Sequence, residues 1–105
     1  MEQLAVEIVG LCREYGECRV EVERMEEGRR VKNALESVCA MARQRLDISD
    51  PALLLALLDA YEVTRDEGML QEVLDVVGRN LDRLAVSAES VKLLAYCYYY
   101  VEEEE

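Results

Sequence analysis

The stretch DPALLLALLDAYEVTRDEG at 50–68 decides the fold. Leu53, Leu54, Leu57, Leu58 and Tyr61 recur at helical spacing, and Leu55 with Ala56 widens the apolar stripe almost all round the axis. A helix that is apolar on most faces must be covered on most faces, so the pattern predicts a helix sandwiched between others. Asp66, Glu67 and Gly68 interrupt the periodicity, with Gly68 suited to a left-handed cap. Beyond them, MLQEVLDVVGRNLDRLAV at 69–86 sets Leu70, Val73, Leu74, Val77, Leu81 and Leu84 on one stripe, which predicts a second, amphipathic helix.

Shifting the chain by 38 residues lays 33–67 on 71–105. Eight of these 35 positions coincide: Val38/Val76, Arg45/Arg83, Leu46/Leu84, Ser49/Ser87, Leu55/Leu93, Tyr61/Tyr99, Val63/Val101 and Glu67/Glu105. The junctions also match. Ser49 and Ser87 stand where a helix N-cap would sit, preceded by Ile48 or Val86 and followed by Leu53 or Val91 at the spacing of a hydrophobic staple. Two junctions of one kind predict two helices entered in the same way. Upstream, EIVGLCREYGECR at 7–19 can be laid on LLLALLDAYEVTR, leaving about eight extra residues within CRVEVERMEEGRR. That insert is either an extension of the first helix kinked near Gly16 or a short hairpin around 18–31.

The expectation is one all-α domain over 1–105, with an irregular unit at 1–32 and repeat-like helices over 33–105. Five helices are predicted, near 2–16 (or onward to 26), 30–46, 50–65, 69–84 and 88–104. They would stack as antiparallel hairpins in an α-solenoid-like array or small bundle. The size suits one core, and a single proline with five glycines in 105 residues disfavours a turn-rich β fold.

Charge and composition remove several function classes. The net charge of −11 opposes nucleic acid and anionic membranes, which require clustered cations, and the one basic cluster, GRRVK at 28–32, is expected on a solvated helix start or loop. Neither a membrane-spanning run nor a secretory leader is apparent, so a cytoplasmic setting is expected. Histidine is absent, which removes Ser-His and Cys-His nucleophile pairs and imidazole zinc sites. Cys12, Cys18, Cys39 and Cys97 contain no CxxC and are expected as small core residues.

The pair at 50–86 resembles a degenerate tetratricopeptide repeat, with Leu54, Leu57 and Tyr61 on its first helix and Gly78 as the small packing residue of its second. HEAT-like repeats have a similar unit length, and the resemblance covers 33–105. It implies a cofactor-free scaffold that binds protein, either another chain or itself, through the first helix of each pair and the groove it lines.

The terminal segment AYCYYYVEEEE at 95–105 holds four of the six tyrosines. Helical spacing puts Val91, Ala95, Tyr98 and Val101 on one face, matching Leu53, Leu57, Ala60 and Val63, which assigns it as the core face. Leu93, Tyr96, Cys97 and Tyr100 lie on the other side, with cysteine and tyrosine where the earlier copy has Asp59 and Glu62. Those four are the candidate partner-binding residues, with a homodimer through the C-terminal helix as the sharpest form; packing against the chain's own helices would bury them equally well. A second function class comes from ExxE at 14–17 and ExxD at 72–75. Glu14, Glu17, Glu72 and Asp75 resemble the acidic motifs of all-α nucleotide pyrophosphohydrolases of the MazG type, which implies magnesium held between the two pairs. A solvated acidic helix face accounts for the same residues.

Overall fold

Most of the helix that begins at Pro51 is covered, with Asp59 and Glu62 left exposed. The computed structural model describes residues 3–18, 25–84 and 86–103. They form α1 (Gln3–Cys18), α2 (Met25–Ala42), α3 (Pro51–Thr64), α4 (Glu67–Arg79) and α5 (Ala88–Glu103), with 3-10 turns at Arg43–Arg45 and Leu81–Arg83. No strand occurs among the described residues, and the class is all-α. Helix α3 packs against each of the other four, and α1 and α2 also pack on each other. Leu53, Leu54, Ala56, Leu57, Leu58, Ala60 and Tyr61 are all buried, as expected for a helix apolar nearly all round. Each neighbour contributes one stripe: Leu4, Ala5 and Ile8; Val31, Leu35, Cys39 and Ala42; Met69, Leu70, Val73 and Val77; Leu93, Cys97 and Tyr100.

The two segments related by the 38-residue shift share a local conformation. Each of α2 and α4 tightens into a 3-10 turn, followed by an extended leucine, Leu46 (φ −64°, ψ 122°) or Leu84 (φ −73°, ψ 123°). The helix starts that follow differ from expectation. Asp50, not Ser49, caps α3, its side chain accepting from the Leu53 N–H at 3.3 Å, while Ser49 donates its own N–H to Asp47 at 3.0 Å. Proline is favoured at the first helical position, so Pro51 fixes the cap one residue later than the serine. Ser87 does cap α5, accepting from the Ser90 N–H at 3.1 Å. The staple around it does not form, since Val86 and Val91 are both exposed.

Three further expectations are corrected. Helix α2 begins at Met25 rather than near 30, because Glu26 and Glu27 place favourable negative charge in its first turn. Residues 25–31 are therefore helical, and the rest of the hairpin alternative, at 19–24, lies outside the described residues. Helix α3 ends on Arg65, not on a glycine: its φ is 54°, its N–H reaches the Tyr61 carbonyl at 2.8 Å, and its guanidinium stands 5.5 Å from the Tyr61 ring centroid. Gly68 lies inside α4 beyond the Asp66 cap.

Gly78 is exposed, and a Cβ built on it meets nothing within 4 Å. It is not a close-packing glycine. Replacing it by alanine removes only the backbone entropy that glycine loses in a helix, so Gly78→Ala is expected to stabilise the fold by about 0.5–1 kcal/mol in urea denaturation. A packing glycine would give the opposite sign.

Candidate functional site

The acidic pairs do not converge. Glu14 and Glu17 are exposed on α1, and among the described residues no group of three or more carboxylates and thiols is placed to hold a metal ion. Glu72 already has a partner: the Arg43 Nε donates to its carboxylate at 2.6 Å, and a second Arg43 nitrogen donates to Asp66 at 2.9 Å. The Arg43 hydrogen bond holds the Glu72 carboxyl below its ordinary pKa. Asp75 is exposed, and its backbone carbonyl accepts from Arg79 at 3.4 Å. This guanidinium clamp ties the end of α2 to the start of α4. It is a structural use of residues that would have had to bind magnesium.

The four candidate binding residues are mostly internal. Leu93 is fully buried, Cys97 and Tyr100 are nearly so, and all three face α3. Tyr96 is half-buried with the Lys92 ammonium 5.9 Å from its ring centroid. Tyr100 donates its hydroxyl to the Glu62 carboxylate at 2.5 Å and lies within 3.4 Å of the Leu58 carbonyl. Its ring meets Tyr61 edge-on at 5.4 Å. Burial, and then the Glu62 hydrogen bond, raise the phenol's pKa well above the usual value. The groove expected along 50–65 is filled too, because α1, α2, α4 and α5 pack on α3 and leave Asp59 and Glu62 as its exposed residues.

What α5 presents outward is the face expected in the core. Val91 is 65% exposed, Tyr98 69%, Tyr99 56% and Val101 44%, with Ala95 exposed among them. The buried residues run Ser90, Leu93, Cys97, Tyr100, at intervals of three, four and three. This is a helical stripe as regular as the outward one. Both faces are apolar, so periodicity alone could not choose. The available signal was Ser90: its hydroxyl completes the Ser87 cap at 3.1 Å, which draws that side of the first turn inward.

Two concavities lie elsewhere. One of about 200 Å³ is lined by Glu36, Cys39, Ala40, Arg43, Thr64, Asp66 and Met69, around the guanidinium clamp. The other, of about 390 Å³, has Leu46, Ile48 and Val76 beside Arg79 and Arg83. Arg83 is held by the Asn80 side chain at 3.2 Å. The outward side of α5 is the largest run of exposed apolar side chains on one described element. No described helix is long and apolar enough to cross a membrane. Comparisons with protein families, with curated proteins and with solved structures give no match for this chain.

Proposed function

We propose that this chain is a non-enzymatic protein-interaction module, built of helical hairpins in the manner of tetratricopeptide- or HEAT-like repeats, that binds protein through the outward side of α5. The observation that carries it is the exposure of Val91, Tyr98, Tyr99 and Val101 along three turns of one helix. Isolated exposed apolar residues are ordinary, but a contiguous run marks a surface that another molecule covers. Tyrosine suits such a surface because its ring gives apolar contact while its hydroxyl stays hydrated or bonded. The shared 3-10 turns and extended leucines at 43–46 and 81–84 support the repeat part of the reading.

The test places a photo-crosslinking amino acid at position 98, with position 36 on α2 as an exposed control, in cells that express the chain naturally. Protein adducts at 98 and not at 36 are expected. Equal adducts at both positions, or none, would remove the reading.

A further inference from the structure

The exposed face of α5 is self-complementary, and from this we infer that its occupant is a second copy of the same chain, with the two α5 helices antiparallel about a two-fold axis. The inference rests on the protein-binding role assigned to that face. Three features carry it: spacing, side-chain size and charge.

Val91, Ala95, Tyr98 and Glu102 are all exposed and follow intervals of four, three and four, the spacing of a straight helix–helix seam. Antiparallel pairing sets Ala95 of each copy opposite Tyr98 of the other, and Val91 opposite Glu102. A large ring thus meets a small residue twice, as an isologous contact demands when residue i touches j and j touches i. Parallel pairing would set Tyr98 against Tyr98 and Ala95 against Ala95, a clash beside a gap.

Charge selects the same direction. Lys92 is the only basic residue in α5, and it is exposed on the flank of the seam toward the N-terminal end. Glu102 lies at the other end, where its charge opposes the helix's own dipole. Antiparallel pairing brings Glu102 over the N-terminal turn and Lys92 of the partner copy, so the unfavourable end of each helix meets the favourable end of the other. Glu89, the remaining acid of the first turn, points away from the seam at 100° per residue. A parallel pair would bring acidic ends together.

The decisive measurement is sedimentation equilibrium of the purified chain at about 0.15 M salt, where a Debye length of about 8 Å screens the overall acidity. A monomer–dimer equilibrium in the micromolar range is expected, because one helix seam covers less than the ~800 Å² per partner of a standard interface. Tyr98→Glu should be monomeric at all concentrations with an unchanged helical circular dichroism spectrum, since Tyr98 supports nothing inside the fold. Lys92→Glu and Glu102→Lys should each weaken dimerisation about three- to tenfold, as expected for two symmetry-related exposed ion pairs. The double swap should recover most of that loss. A monomer up to millimolar concentration overturns the inference, as does a dimer indifferent to Tyr98→Glu or a double swap that recovers nothing. If the chain is monomeric and the crosslinks at 98 lead to a different protein, self-pairing fails while the binding role stands. If there is neither dimer nor crosslink, both fail.

Discussion

Leu57→Ala is expected to lower the stability of this chain by roughly 3 kcal/mol, within the range of about 2–5 kcal/mol for truncating a fully enclosed leucine. Leu57 has no exposed surface and sits on α3, the helix that all four others touch. When a leucine is lost at the edge of a core, neighbouring side chains can settle into the space. Here they cannot settle without moving a helix, so the cavity remains and its lining loses dispersion contacts. Small domains hold only about 5–15 kcal/mol in total, so the variant should lose a large part of its stability and unfold at a clearly lower urea concentration. Leu81→Ala is the matched control. Leu81 falls on the apolar stripe of 69–86 yet is 55% exposed beyond the end of α4, and its truncation should change stability by about 0.5 kcal/mol or less. Urea denaturation of both variants tests whether α3 is the hub: a Leu57→Ala loss as small as that of Leu81→Ala would show that it is not.

The difference between those two leucines shows what could be read in advance. The run at 50–64 announces a surrounded helix because it lacks a polar side wide enough to face water, and that property is local. The stripe over 69–86 correctly locates Leu70, Val73 and Val77 in the core but runs past the point where the backbone tightens into a 3-10 turn and carries Leu81 outward. Caps were legible where one residue decides them, as with Ser87, and misread where a neighbour overrides it, as Pro51 does for Ser49. Arg65 takes the left-handed position without being a glycine, at a junction held by the Asp66 cap and by Arg65 stacking on Tyr61. The structure exchanges the two sides expected of α5: Leu93, Cys97 and Tyr100 are buried, while Val91, Tyr98 and Val101, expected in the core, are exposed. Copying the core face from α3 to α5 fails because α3 buries Leu54, Leu58 and Tyr61 as well as Leu53, Leu57 and Ala60, so its pattern does not say which face of the copy is buried. What turns α5 is a tertiary match: Glu62 and the Leu58 carbonyl offer acceptors to the Tyr100 hydroxyl, which no helical period encodes.

That match predicts the second large effect. Tyr100→Ala is expected to cost about 3–5 kcal/mol, the range for removing a large buried aromatic side chain, and Tyr100→Phe only about 1 kcal/mol, the net worth of its hydroxyl hydrogen bonds. The cost of either substitution relative to the wild type should shrink as pH rises, because both remove the one group at this position that titrates. Tyr100 bonds Glu62 only as the neutral phenol, and its pKa in the fold lies above the value of about 10 that an unfolded tyrosine has. Above pH 10 the unfolded chain therefore releases this proton while the folded chain keeps it. The contribution is complete below pH 10 and falls as pH climbs toward the folded value, by about 1.4 kcal/mol per pH unit for one proton. The thiols have the same sign one step earlier. Burial raises Cys12 and Cys97 to about 11 and Cys39 to about 12 from an ordinary 9.0, so stability should begin to decline near pH 9. In Tyr100→Phe the decline from the thiols remains and the tyrosine part vanishes. The wild-type advantage of about 1 kcal/mol at pH 7 should then shrink steadily above pH 10 and reverse before pH 12. Denaturation midpoints for the two proteins across pH 7–11.5 measure this directly, and parallel curves above pH 10 would show that the Tyr100 phenol ionises as freely in the fold as out of it.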